Sequence, residues 1–434
     1  MPGVKNLAHN IYRWERGSGV SQRYVLAYCV AFGIEPGDFP RQANGQRRAQ
    51  EPAPTPAGDA RFVPIHSLVT YRGTETADAG DSDSAVARQL LVEREVLMAA
   101  HDGSERAEQA EQRGIGDITL EQFRADVTRL SRDYMTGDPL PLFREMRRVQ
   151  GRMHDVLDRR IWPKDATELY FLLGCINSLM ACVAADLGYP VAAEELSRAG
   201  WAYAVVIDQR PLMAKLRLDL AGLCYWSGRF GNAADLASHG LGYLSGGPTG
   251  VQLHLKYALA VARLGDLDSA RLAIAAASKA RDLPYSDDLT AVGGEFDLSQ
   301  ASAHYLVGAV LIEIPGASAE AAAELEQAAK LYAAGPGPGE THGYGMAALA
   351  SVHLAQAHLS AGALDAATAA LETVLDLPAS RRIDPIPQGL ARVRAALARP
   401  TYRGSAQARE LDDRIEVFSR GGIAADTEFR GLSA

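Results

Sequence analysis

The chain has 434 residues, 47% hydrophobic and 22% charged, with a formal net charge of −9. That composition excludes a disordered or collagen-like chain, and the length gives room for about three domains or one repeat array. No apolar run approaches the roughly 18 residues of a membrane span, no secretory h-region opens the chain, and Cys29, Cys175, Cys182 and Cys224 make no CxxC pair, so a reducing, cytoplasmic setting is expected.

Only 7% of residues are aromatic and alanine is abundant, which favours helix over strand throughout. Residues 1–50 hold seven cations against three carboxylates, net +4, and leave −13 for the rest. A basic head on an acidic body suggests an anionic partner for the head alone. Asn6 to Glu15 predicts a short helix with Leu7, Ile11 and Trp14 on one face. Gly17 suits its C-terminal cap, and Ser21 can cap a second helix through Phe32. Residues 41–84 read as a linker stiffened by Pro52, Pro54 and Pro56, interrupted by a short apolar stretch from Phe62 to Tyr71 that reads as a strand or an extended segment. A connecting helical segment is expected over 85–118, and a flexible tail over 421–434.

Between them, residues 119–420 predict helices in pairs. A short turn recurs, glycine followed by alanine five positions on. It stands at Gly188 and Ala193, Gly228 and Ala233, Gly265 and Ala270, and Gly362 and Ala367, with a looser copy at Gly316 and Ala321. The glycines are 40, 37, 51 and 46 residues apart, more than a minimal tetratricopeptide unit needs, so insertions are expected between helices. One helical hairpin cannot bury its apolar face alone; stacked hairpins can, and they leave a concave groove. Leu212, Leu216, Leu220 and Leu223 form one expected stripe, and Leu253, Tyr257, Val261 and Leu264 another.

The run from Tyr12 to Gly17, with its RWERG core, looks like the end of a recognition helix of the XRE type, and Arg23-Tyr24, Cys29 and Phe32-Gly33-Ile34 look like the helix after it. GWAYAVVIDQRPLMAKLRLDLAGL and LPLFREMRRV are similar to the C-terminal part of the same proteins. Nearly the whole chain thus resembles actinobacterial XRE-type helix-turn-helix regulators with a C-terminal tetratricopeptide-like domain. The resemblance implies an all-α fold: a partial helix-turn-helix over 1–40, the linker, then a right-handed solenoid of helical hairpins. It also implies DNA-binding transcriptional regulation. An XRE domain has two helices before its recognition helix. They are absent from this sequence, so an upstream start or a truncated regulator is expected.

In a helix-turn-helix the N-terminal part of the recognition helix enters the major groove. His9, Asn10 and Arg13 lie off the apolar stripe, where Asn suits adenine and Arg suits guanine. Lys5, Asn6, Arg16 and Arg23 suit phosphate. Trp14 completes the stripe and reads as core. In the array, Tyr170, Asn177, Arg217, Lys256 and Tyr257 fall on first helices of hairpins, which line the groove in such arrays. They are the candidate effector contacts for a peptide, metabolite or protein, with inter-helix packing as the rival reading of each. A homodimer would suit a palindromic operator.

No phosphate loop, nucleophile elbow or zinc-protease motif is present, and no cofactor or metal is expected. The Gly335-to-Gly339 run follows a helix, and its two prolines remove N–H donors, so it reads as a rigid loop. His353 and His358 fall on different helical faces. Cys175 and Cys182 share a face and read as packing. The reading is therefore non-enzymatic. Its rival is a protein-interaction scaffold carrying a non-functional DNA-binding remnant.

Overall fold

A computed structural model describes residues 92, 95–103, 117–159 and 161–421. The chain divides into two units after Met98. In the first, the described residues (92 and 95–98) are helical and exposed. The head, the linker, the Phe62-to-Tyr71 segment and nearly all of the tail lie outside the described residues.

The second unit is all-helical over its described residues. Its helices are α1 (Asp117–Thr136), α2 (Pro139–Leu157), α3 (Pro163–Asp186), α4 (Pro190–Val206), α5 (Arg210–Trp226), α6 (Phe230–Leu241), α7 (Gly247–Arg263) and α8 (Leu267–Arg281). A five-residue helix α9 (Asp288–Val292) and a 3-10 turn at Gly294–Phe296 follow. Then come α10 (Gln300–Ile312), α11 (Ser318–Ala334), α12 (Tyr344–Ser360), α13 (Leu364–Leu375), α14 (Pro385–Leu397) and α15 (Ala406–Arg420). Proline in the first turn starts α2, α3, α4, α5, α7 and α14, where its missing N–H is not needed. Asp266, Ser299 and Ser405 cap α8, α10 and α15 by accepting from a backbone N–H three residues on.

Adjacent helices pack as antiparallel pairs: α3 with α4, α5 with α6, α7 with α8, α10 with α11, and α12 with α13. The five repeated glycines make the turns inside these pairs, each at a positive φ between 74° and 90°. At Gly188, Gly228, Gly265 and Gly362 the turn closes by two backbone bonds; at Gly228 its own N–H reaches Tyr225 O and Arg229 N–H reaches Cys224 O. That is the left-handed cap glycine takes without strain. The alanines five positions on are all buried and let the second helix sit close to the first. Close approach elsewhere also depends on missing side chains. A Cβ on Gly174 would stand 2.4 Å from Leu212, and one on Gly200 3.3 Å from the Gly174 carbonyl.

The first helices of successive pairs also touch: α3 meets α5, α5 meets α7, α7 meets α10, α10 meets α12, and α12 meets α14. The row curls until its far end reaches its beginning. Helix α12 packs on α1, the Asp384 N–H donates to the Asp186 carbonyl at 2.8 Å, and Arg381 pairs with Asp138 at 2.8 Å.

Two features differ from the sequence expectation, and a third, the expected insertion, is located. Leu264 is exposed, because it is the C-cap of α7 and has left the helix face. Helix α3 is long and apolar enough to cross a membrane by length and composition, but most of its apolar window is buried among neighbouring helices. It is the central helix of the core, apolar on every side because every side is covered. The 51-residue interval arises because the 282–299 segment, with α9 and the 3-10 turn, is inserted between α8 and α10.

Candidate functional site

The inner row encloses a cavity of about 360 Å³, lined from α1, α3, α4, α5, α7, α10, α12, the start of α14 and the inserted turn. A second lobe of about 170 Å³ shares Tyr134, Asp186, Trp226, Lys256, Glu295, Leu306, Met346 and Pro385 with it. The main volume falls within the range usual for small-molecule sites.

Charged side chains stand together in the main lobe. Lys215 is buried, 1% exposed, and its ammonium donates to Asp219 one turn along α5 and to Glu295 at 3.2 Å. Burial opposes its charge, but these two carboxylates outweigh burial and hold the ammonium well above its ordinary pKa. Glu295 gets there on the inserted segment. Ser131 Oγ donates to the Gly293 carbonyl and accepts the Glu295 N–H. Gly294 sits so close to the Ser131 backbone that a Cβ would stand 2.6 Å away. Ser178 Oγ donates to the second oxygen of Asp219 at 2.6 Å. Cys182 Sγ lies within 4.8 Å of both carboxylates, a donor set able to hold a metal. The Lys215 ammonium already bonds both carboxylates and supplies the positive charge such a metal would bring. The Cys182 thiol is raised well above its ordinary pKa, chiefly by burial.

Asp186 lies where the row closes. Tyr134 OH donates to its carboxylate at 2.8 Å, yet burial raises its pKa to about 7. Lys256 sits on α7 in the wall shared by the two lobes, its ammonium 5.6 Å from the centre of the Tyr225 ring. Among the described residues no carboxylate lies within 4 Å of it. Burial lowers its pKa to about 8, with Asp219 opposing and Lys215 reinforcing the shift.

The second lobe adds aromatic and aliphatic side chains, Tyr225, Tyr305, Tyr344 and Leu349, to the Asp186, Lys256 and Glu295 that it shares with the first. His353 also lines it, 5% exposed and stacked on Tyr305 with ring centres 5.7 Å apart. Its Nδ1 is buried without a hydrogen-bond partner. Burial, then the nearby Arg392 and Lys256, push its pKa down to about 3, so the ring is neutral.

Of the five groove residues expected from sequence, Lys256 lines the cavity and the other four do not. Tyr170 stacks on Tyr203. Asn177 is 1% exposed; its amide donates to Leu173 O and its oxygen accepts from Gln150. Arg217 lies over the Trp201 ring at 3.7 Å, in an aromatic group completed by His239 and Tyr243. Tyr257 packs between helices. All four stand on faces of the first helices that meet the second helices or neighbouring pairs. Cys182, expected as packing, lines the cavity instead. Lys5, Asn6, His9, Asn10, Arg13, Arg16 and Arg23 lie outside the described residues.

Lys215 and Asp219 stand at i, i+4 on one helix, a pairing visible in the sequence. Glu295, Asp186 and His353 carry no local signal, because only the closure of the row brings them together. No family model and no curated protein matches the chain.

Proposed function

We propose that the chain is a ligand-sensing DNA-binding regulator, in which a tetratricopeptide-like array of helical hairpins encloses the effector. The observation that carries the sensor half is the cavity itself. It is lined by the inner helices and provides a cation, Lys256, that has no carboxylate within 4 Å among the described residues. The repeated turn with its buried alanine supports the array reading. The DNA half rests on the RWERG run and the basic balance of residues 1–50. A ligand in the cavity touches several hairpins at once, so it favours one curvature of the row over another. Population shift between curvatures, or between dimer arrangements, would then alter how two heads meet an operator. The cavity favours a small molecule over a peptide or protein as effector, because its volume of about 360 Å³ is that of a small-molecule site.

The test is binding of the full chain to genomic DNA fragments at two salt concentrations. Specific binding is expected when the two helices that an XRE domain places before its recognition helix are supplied, with Arg13→Ala or Asn10→Ala relaxing preference at one or two operator positions by about 1–3 kcal/mol. Lys5→Ala or Arg16→Ala should weaken all sequences together and flatten the salt dependence. A chain whose DNA affinity ignores all four substitutions is not a regulator of this kind, and the scaffold reading replaces it.

A further inference from the structure

Lys256 and His353 both line the second lobe. Lys256 is an ammonium with no carboxylate within 4 Å among the described residues, although Lys215, deeper in the same cavity, holds two. His353 is a buried imidazole whose Nδ1 has no partner. A buried polar group without a partner is costly, and such groups in folded proteins are generally bonded. Between and around them the lobe offers ring faces and aliphatic surface from Tyr225, Tyr305, Leu306 and Leu349.

We propose that the cavity binds a small monocarboxylate with an apolar body, its carboxylate on Lys256 and its body in the lobe beside His353. This inference rests on the sensor reading and names the chemistry of its effector. An ammonium in a partly dehydrated wall favours an anion. Asp186, Asp219 and Glu295 line the same cavity and repel a second negative charge, so a phosphate dianion is disfavoured. The apolar lining rewards an aromatic or alkyl body by burial, and its volume of about 170 Å³ limits that body to a small one. His353 stacks on Tyr305 with ring centres 5.7 Å apart, so its ring plane is set and it forms a fixed wall beside the ligand's body.

Three probes share one body and differ in the head: 3-phenylpropionate, 3-phenylpropylamine and 3-phenylpropanol. Each is titrated calorimetrically into the full chain, and into the Lys256→Met and His353→Phe variants. Lys256 has no ion pair to lose, so Lys256→Met is expected to fold, and its melting curve checks this. The carboxylate should bind roughly tenfold or more tighter than the alcohol, as a charged hydrogen bond implies. Lys256→Met should remove that preference while leaving the alcohol unchanged. His353→Phe should weaken the carboxylate and retain its lead over the amine. Equal or tighter binding of the amine, or a preference that survives in Lys256→Met, overturns the carboxylate assignment and leaves a sensor of other specificity. Binding of none of the three overturns this assignment, and a chain that also ignores a broad set of small metabolites has no sensor cavity.

Discussion

Lys215 decides the electrostatics of the molecule's centre. Its ammonium is the counter-charge for Asp219 and Glu295, and the two carboxylates arrive from segments 76 residues apart in sequence. Lys215→Met keeps the length of the side chain and removes the charge. It leaves two carboxylates facing each other in a dehydrated site, so a loss of about 3–5 kcal/mol is expected from denaturant unfolding. The double variant Lys215→Met with Glu295→Gln should recover part of that loss, because it removes one uncompensated charge. Lys256 differs from Lys215 by having no such partner. The two lysines serve opposite purposes, one neutralising the protein's own acids and the other left for something else. Asp219 four residues on marks Lys215 in the sequence, where Lys256 has Ala260, but Glu295 finds Lys215 only through the inserted segment.

The repeated turn is the unit of the fold, and one turn breaks its rule. Between α4 and α5 the position with positive φ is Asp208, at 51°. Gln209 N–H still reaches Ala204 O, as the corresponding N–H groups do at Gly188 and Gly228. An L-residue there carries left-handed strain of about 1–2 kcal/mol, eased for Asp, whereas glycine adds unfolded-chain entropy of about 0.4–1 kcal/mol. Asp208→Gly is therefore expected to stabilise by up to about 1 kcal/mol, and Gly228→Ala, with open space around its Cβ, to destabilise through backbone strain. Thermal melts of both variants check the pair. This element also shows what the sequence made legible. Five turns were marked by glycine and a later alanine, because a left-handed cap and a close helix approach each demand a residue type. The sixth was hidden because aspartate tolerates the same backbone. The cavity was hidden for a different reason. Helical spacing puts Tyr170, Asn177, Arg217, Lys256 and Tyr257 on the right helices, but the face each presents depends on how neighbouring pairs rotate. Of the five, only Lys256 turns inward.

Across the described part of the second unit, long-range contacts turn a row of hairpins into an enclosure. The Asp384-to-Asp186 backbone bond, the Tyr134-to-Asp186 hydrogen bond and the packing of α12 on α1 join the row's two ends beside the cavity. A ligand held by Lys256 on α7 and His353 on α12 spans the interior near that junction, so its binding is coupled to how tightly the row closes. If the proposed regulator transmits this coupling to its head, ligand and DNA affinities are reciprocally linked. The most direct measurement is the affinity of the full chain for one specific DNA fragment with and without saturating 3-phenylpropionate. A change of roughly fivefold or more in either direction, lost in Lys256→Met, is the predicted result; a DNA affinity indifferent to the bound carboxylate would contradict the account.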